Sequence, residues 1–305
     1  MYKFTSRIAL VGMISVAGLL LVTEEVLATD KVISTDKVIS MSADKLHVTD
    51  EAQAKIDLAT VDAATVDEQV IGAQSPDVKI MLKKADEYRM EDESSKVVSV
   101  VHLFKNNERE KTHQYHVYTR PQRQSLVIFK SQVEAGQKML MLEDNYWLVM
   151  PKSRRPIRIT PMQKLLGEAS VGDISTLTWS DDYQGVFEQT ESLIKPDGNT
   201  VESNKLFLTA KTKGASYHTI ELWLEPETDF PIKANLILTS GKLAKEAWFT
   251  KGERKGTAAV VAMTLMDKIQ PHKKTRIEYK EISAFELEEK YYNPPYLVRN
   301  NVSEL

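Results

Sequence analysis

The sequence predicts a mainly β protein built around one large, curved antiparallel sheet or barrel. About a dozen segments alternate apolar and polar residues with period two, which is typical of half-buried strands. The links between them are short and polar, and turn signals such as "KPDGN" (195–199) and "TSGK" (239–242) favour antiparallel neighbours. So many strands in one chain of 305 residues favour a single curved sheet over a sandwich of two small domains.

The N-terminus predicts a signal peptide, 1–28, that is cleaved after Ala28. Lys3 and Arg7 precede an apolar run over 8–22, which at fifteen residues is shorter than the roughly 20 that a membrane-spanning helix needs. An uncleaved membrane anchor stays open as the alternative, because two acids stand between the run and the cleavage site. Export through a cleaved signal predicts a periplasmic location.

Residues 29–75 are predicted to be a flexible leader. They open with the tandem repeat "TDKVISTDKVIS" (29–40) and contain no aromatic residue, a composition that suits a solvated spacer. The chain has no cysteine, which excludes disulfides, thiolate chemistry and a lipid-modified N-terminal cysteine. We therefore expect the processed protein not to be integral to the membrane.

The folded domain is predicted to cover 76–305 and to begin with a helix. In "SPDVKIMLKKADEYRM" (75–90), Ser75 can cap the helix and apolar residues recur at helical spacing. After this helix the period changes to two. The predicted strands are 97–104, 113–119, 125–129, 138–142, 145–150, 186–194, 201–210, 216–224, 231–239, 243–250, 257–267 and 274–283.

A short insert, 160–183, interrupts the strands. Pro161 and Gly167 can open and close a helix over "PMQKLL", and Asp173 offers a second helix start. The insert could plug one end of a barrel, or it could be a movable cover. Before it lies a basic turn after Pro151, which by composition is either a solvated turn or an anion site.

The sequence carries no recognisable catalytic constellation. There is no nucleophile elbow, phosphate loop or dinucleotide fingerprint, and His113 and His116 point to opposite faces of a strand, which disfavours a shared metal. Asp181 and Asp182 form an acid pair beside Trp179, and a solvated loop is the simpler interpretation. A net charge of −3 disfavours nucleic acid as a partner. We expect no enzyme activity, no metal and no cofactor.

Several segments resemble the bacterial outer-membrane lipoprotein-sorting protein family, relatives of the periplasmic lipoprotein carriers with a LolA/LolB-like fold. The most specific piece is "GQKMLMLEDNYWLVMPKSRRPIRIT" followed by the insert and "DISTLTWSDDY". "YHTIELWLEPETDFPIKANL" and "MTLMDKIQPHKKTRIEYKEI" are similar to the family as well. The resemblance spans 76–297. One departure is "MQKLLGEASVGD", where relatives often carry a segment rich in glycine and phenylalanine.

The resemblance implies an incomplete antiparallel barrel whose apolar cavity shelters acyl chains beneath a helical lid. On this basis the cavity is lined by Phe129, Met139, Met141, Trp147, Val149, Leu222 and Leu224. The lid would present Leu165, Leu166 and Trp179. The rim would present Arg154, Arg155 and Arg158 to phosphate headgroups or to an acidic partner.

Two functions follow from the resemblance. The first is a non-enzymatic periplasmic carrier, or chaperone, that binds lipid or the acyl chains of lipoproteins and transfers them toward the outer membrane. The second is a regulatory or accessory lipid-sensing domain that works with an inner-membrane exporter or an envelope-stress partner. A carrier should release its ligand to an outer-membrane acceptor, whereas a sensor should change its affinity for a protein partner.

Overall fold

The dominant feature of the fold is one antiparallel sheet of thirteen strands that does not close into a barrel. A computed structural model describes residues 77–305 except 92, 167–168, 171–172, 174–177 and 303, and it describes the backbone but not the side chains of 164–166. These residues all belong to one compact unit, Ile71–Leu305. The fold predicted from sequence is confirmed.

Helix α1, Val78–Glu87, precedes the strands, and the one-turn helix α2, Trp179–Asp182, and helix α3, Pro294–Arg299, follow later. The strands of the large sheet are β1 Ser95–Lys105, β2 Glu108–Arg120, β3 Gln124–Phe129, β4 Lys138–Leu142, β5 Asn145–Val149, β6 Ile157–Ile159, β9 Tyr183–Ile194, β10 Thr200–Ala210, β11 Thr219–Leu224, β12 Pro231–Ile237, β13 Leu243–Arg254, β14 Thr257–Asp267 and β15 Lys273–Ala284. Strands β7, Lys164–Leu166, and β8, Ala169–Ser170, form a separate pair.

The strand order is β6-β5-β4-β3-β2-β1-β15-β14-β13-β12-β11-β10-β9. The chain therefore winds from the middle of the sheet to the β6 edge, crosses through the insert, and returns from the β9 edge until β15 pairs with β1. Each of the twelve predicted strands coincides with an observed one. Because β6 and β9 are the two edges, the insert joins the two sides of the opening.

Tight two-residue turns connect several hairpins. Asn106 and Asn107 link β1 to β2 with φ of 51° and 66°, and Lys255 and Gly256 link β13 to β14 with φ of 51° and 78°. Positive φ at both central residues gives the turn whose twist matches that of paired strands, and asparagine and glycine adopt it most readily.

The sheet is curled, so that it has an inner and an outer face. At the tip of the β4–β5 hairpin, Asp144 Oδ1 accepts a hydrogen bond from the Gly214 N–H at 2.8 Å, and the Tyr146 hydroxyl donates to the Gly214 carbonyl at 3.1 Å. Gly214 precedes β11, on the other half of the sheet. These contacts bring the two halves together over the inner face, where the main apolar core lies.

The C-terminal segment, 285–305, packs on the outer face of β2–β5. It forms a second apolar cluster with Tyr118, Leu126, Ile128, Leu140 and Val149. Lys138 is 6% exposed and donates to the Leu297 carbonyl at 3.0 Å, so it holds the end of α3. Burial lowers the pKa of Lys138.

Two details of the predicted helices are wrong. The cap of α1 is Asp77, whose carboxylate accepts from the N–H groups of Lys79 and Ile80; Ser75 lies outside the described residues. The segment 164–166 is strand β7, paired with β8, because cross-strand hydrogen bonds override its helical propensity. Among the described residues, no helix has both the length and the apolar character required to cross a bilayer.

Candidate functional site

The inner face presents a continuous apolar wall. Strand alternation turns every second side chain inward, and five of the seven predicted lining residues belong to the inner core and are at most 2% exposed. These five are Phe129, Met139, Met141, Leu222 and Leu224. The structure therefore packs side chains from β3, β4 and β11 into one apolar core, but none of the seven predicted residues lines the small pocket described below, and their role in ligand binding stays a prediction.

Trp147 and Val149 do not lie with the other five, and this part of the predicted lining is wrong. In the β4–β5 hairpin, Trp147 pairs with Leu140, and both belong to the outer cluster against the C-terminal segment. Met139 and Met141 pair instead with Leu148 and Tyr146. The two-residue turn at 143–144 fixes this register, so odd-numbered residues of β4 share a face with even-numbered residues of β5.

Helix α1 covers part of the inner wall. Met81, Leu82 and Ala85 are its buried apolar residues, at most 5% exposed, and all belong to the inner core. The helix reaches β9 at Gly185, where a Cβ atom would stand 2.6 Å from Val78 Cγ1 and 2.8 Å from Leu208 Cδ2. A larger residue at 185 would therefore require the side chains of Val78 and Leu208 to shift.

Trp179, at the start of α2, closes this region from the side of the insert. It is 5% exposed, its ring meets Phe249 edge-on with centroids 5.6 Å apart, and the Arg89 guanidinium lies 3.8 Å from the centre of its ring system. Trp179 thus belongs to the inner core, and its role in a lid stays a prediction. The side chains of Leu165 and Leu166 lie outside the described residues.

A small pocket lies beneath Trp179 on the inner face. Its volume is about 50 Å³. For comparison, an apolar cavity of about 150 Å³ holds one benzene molecule. Its lining is mainly apolar, and comprises Arg89, Asp173, Trp179, Tyr183, Ser216, Tyr217, Ile220, Ala234, Leu236, Ala247, Phe249 and Met263. An acyl chain would need Trp179 to move.

Buried carboxylates fasten α2 to the rest of the domain. Asp86 of α1 is 6% exposed and accepts hydrogen bonds from the N–H groups of Trp179 (3.0 Å) and Ser180 (2.9 Å). Asp182, which is fully buried, contacts Arg123 of the β2–β3 turn at 2.7 Å and accepts from Thr212 at 2.6 Å. Burial raises the pKa of both Asp86 and Asp182.

The interpretation of Asp181 and Asp182 as a solvated loop is thus wrong for Asp182. Spacing alone gave no indication that Asp182 is buried. A possible signal was "TWSDD", in which an acid follows a buried tryptophan within one helical turn.

A further acid, Asp173 of the insert, reaches into the inner face. Its carboxylate forms an ion pair with Lys245 of β13, and both side chains are 2% exposed. The Tyr217 hydroxyl donates to Asp173 Oδ1 at 2.9 Å, and the Ser170 N–H donates to Oδ2 at 2.7 Å. Sequence reasoning missed this pair, because the two residues are seventy-two positions apart.

The basic turn lies at the β6 edge of the sheet. Arg154, Arg155 and Arg158 are exposed. Arg158 donates to Asn145 Oδ1 at 2.6 Å, and its guanidinium lies 4.7 Å from the centre of the Trp147 ring system, so its head is partly held by β5. Arg154 and Arg155 project into solvent and could contact an anionic surface.

The open thirteen-stranded sheet, with α1 on its inner face, is a LolA-like fold. A LolA superfamily protein of Nitrosomonas europaea matches at a TM-score of 0.65 and 24% identity, over 72% of this chain and 98% of that one. A DUF1329 family protein of Desulfovibrio piger matches at 0.59 and 18%, over 72% and 97%. A Vibrio parahaemolyticus domain named for outer membrane lipoprotein sorting matches at 0.59 and 17%, over 72% and 98%.

A family model matches residues 121–299, which is more than half of the chain, and its description reads "Uncharacterized protein". The chain belongs to that family. None of the curated proteins matches the sequence.

Proposed function

We propose that the protein is a non-enzymatic periplasmic carrier that binds lipid, or the acyl chains of lipoproteins, for transfer toward the outer membrane. The observation that carries this proposal is the apolar inner face, with a small pocket closed by Trp179 of the insert. A carrier needs such a surface because an acyl chain must be shielded from water between membranes. The names of the relatives with this fold agree with a role in lipoprotein sorting.

The energetics allow both uptake and release. Burial of one methylene contributes about 0.8 kcal/mol, so a sixteen-carbon chain offers about 13 kcal/mol before the costs of ordering and displacement. Part of this is offset because the chain must displace Trp179 and detach α2 from Asp86. The remaining affinity would be low enough for transfer to an acceptor.

We further propose that 1–28 are removed on export and that 29–75 act as a leader; both segments lie outside the described residues. Arg154, Arg155 and Arg158 would then dock an inner-membrane exporter, an outer-membrane acceptor or anionic headgroups. Exposure of these cations beside the β6 edge also supports the second function, a lipid-sensing accessory domain. In a sensor, ligand binding would alter the affinity of this basic turn for its partner.

The proposal is tested by purifying the exported protein from its native envelope and identifying co-purifying lipids and acylated proteins by mass spectrometry. We expect stoichiometric acyl-containing ligand. The variant Ala247→Leu should lose it, because Ala247 is 1% exposed and lines the pocket. The matched variant Ala258→Leu, at an exposed position, should retain it. Recovery of wild-type protein without any such ligand, even after supplying lipid, would contradict the proposal.

A further inference from the structure

The inner face carries a charged pair in an otherwise mainly apolar surrounding. Lys245 follows the buried Ala244 in β13, on the same face as Ala247, and its side chain is 2% exposed. A buried ammonium requires a counter-ion and hydrogen-bond acceptors. Asp173 supplies both, but it belongs to the insert and not to the sheet.

The two side chains that hold Asp173 form a preformed binding site for a carboxylate. Lys245 and the Tyr217 hydroxyl both reach the Asp173 carboxylate, and Lys245 Nζ lies 5.6 Å from the centre of the Tyr217 ring. Burial raises the pKa of Tyr217 well above its usual range, so the hydroxyl keeps its proton and donates. Lys245 lies in β13 and Tyr217 lies just before β11, so neither donor belongs to the insert and both remain in place if Asp173 departs.

One further polar group of the same pocket has a bearing on the ligand. Ser216 is 6% exposed and lines the pocket, and its Oγ has no hydrogen-bond partner among the described residues. Buried hydroxyls normally have a partner, so an unpaired one beside a cavity indicates a place for a ligand oxygen. Asp267, opposite Lys245 in the β13–β14 ladder, does not line the pocket, and its Oδ1 accepts hydrogen bonds from the N–H groups of Ile269 and Gln270, both at 2.7 Å.

The polar and apolar parts are contiguous. Asp173, Ser216 and Tyr217 line the pocket together with Ile220, Leu236 and Phe249. A molecule with one anionic end and one long apolar tail matches this arrangement. A neutral lipid would leave Lys245 buried without its counter-ion once Asp173 has been displaced, and that is unfavourable.

We infer that the cargo is a lipid with an anionic head, and specifically a fatty carboxylate, which replaces Asp173 on Lys245 and Tyr217. This inference rests on the proposed function and narrows it. Asp173 is then an internal stand-in for the ligand: it satisfies the binding site while the pocket is closed, and it is released when the ligand's own carboxylate arrives. The exchange keeps one carboxylate on Lys245 in both states.

The experiment compares palmitate with hexadecanol, which has the same chain length and no charge, by calorimetric titration of the full processed protein. Palmitate should bind at least about tenfold more tightly, since hydrogen bonds to charged groups are the stronger ones. In Asp173→Asn neither ligand has to break the ion pair with Lys245, so the affinities for palmitate and for hexadecanol should both rise about tenfold and the preference for palmitate should persist. In Asp173→Asn/Lys245→Gln, which replaces both charges with amides, the preference for palmitate should disappear.

The outcomes separate this inference from the proposal on which it rests. Equal affinity for palmitate and hexadecanol in the wild type, unchanged in both variants, would overturn the anionic head and leave an acyl carrier in place. Tighter binding of hexadecyl phosphate than of palmitate would overturn the carboxylate. Absence of binding of every probe to every variant would overturn the carrier as well. If a variant fails to fold, the ratio of the palmitate and hexadecanol affinities of the wild type decides whether the ligand has an anionic head.

Discussion

Trp179 should be the main steric barrier to ligand entry, and Trp179→Ala tests this. A buried tryptophan removes about 150–250 Å² from water, which at about 25 cal/mol per Å² corresponds to about 4–6 kcal/mol. Large-to-small substitutions of this kind cost about 3–5 kcal/mol in practice. Because Trp179 is 5% exposed and packs against Phe249 and Arg89, we expect a loss in the free energy of unfolding of that size.

The same substitution should improve ligand binding. If an acyl chain must displace Trp179, truncation removes about 3 kcal/mol or more from the cost of entry, and each 1.4 kcal/mol changes the dissociation constant tenfold. Titration with a fluorescent sixteen-carbon acyl probe should therefore show an affinity about a hundredfold or more higher than that of the wild type. Urea unfolding measured in parallel gives the stability change.

Trp223→Ala is the matched control. Trp223 is also 5% exposed, but it lies on the outer face between Lys205 and Lys233, and its Nε1 donates to Glu191 at 2.6 Å. Its truncation should destabilise the protein without improving probe affinity. Equal probe affinity in the wild type and in Trp179→Ala, or an equal gain in both variants, would refute the role assigned to Trp179.

Three further predictions concern the basic turn at the β6 edge, the loss of stability at acid pH and the N-terminal leader. Replacement of Arg154, Arg155 and Arg158 by glutamine should weaken association with anionic vesicles and flatten its salt dependence, with thermal stability nearly unchanged; unaltered vesicle binding would contradict a docking role. Hydrogen bonds from Lys280 and then Arg276 lower the pKa of Glu278 from 4.5 to about 2. Its contribution to stability is therefore present above about pH 4.5 and is lost as the pH falls toward 2. The difference in melting temperature between the wild type and Glu278→Gln should shrink over that range, and a constant difference would contradict the prediction. N-terminal sequencing of the exported protein should begin at Thr29, and a chain that still begins at Met1 would show an uncleaved anchor.

Much of the fold follows from local pattern. Strands such as β11 and β12 alternate apolar and polar residues because one face of the sheet is buried. Tight turns such as Asn106–Asn107 and Lys255–Gly256 indicate hairpins, because their residues tolerate positive φ. These signals lie within a few residues of each other, so the sequence displays them directly.

Predicting which face of the sheet a side chain occupies requires the register between strands as well as the period within each strand. Period two identifies which residues of a strand share a face, but only the turn relates one strand's faces to the next. In the β4–β5 hairpin, a turn of two residues places Trp147 opposite Leu140, away from Met139 and Met141. The length of that turn can be counted in the sequence, and with it the register that separates Trp147 from the two methionines.

The buried acids could not be found this way. Asp86, Asp173 and Asp182 look like surface residues in the sequence, and their partners Arg123, Lys245 and the α2 N–H groups are distant along the chain. Their burial depends on how the insert crosses from β6 to β9. Local periodicity contains no information about such a crossing. Helical propensity likewise predicted a helix at Lys164–Leu166, where the structure has a strand paired with β8.

In the proposed carrier, an acyl chain occupies the inner face of the sheet. Photo-crosslinking of the processed protein with a sixteen-carbon acyl probe that carries a diazirine near its tail, followed by peptide mass spectrometry, locates the bound chain. We expect saturable, one-to-one labelling confined to the inner face of the strands that line the pocket, β11, β12, β13 and β14, and competition by unlabelled ligand. Labelling confined to the C-terminal segment 285–305 on the outer face, or labelling that never saturates, would contradict the claim.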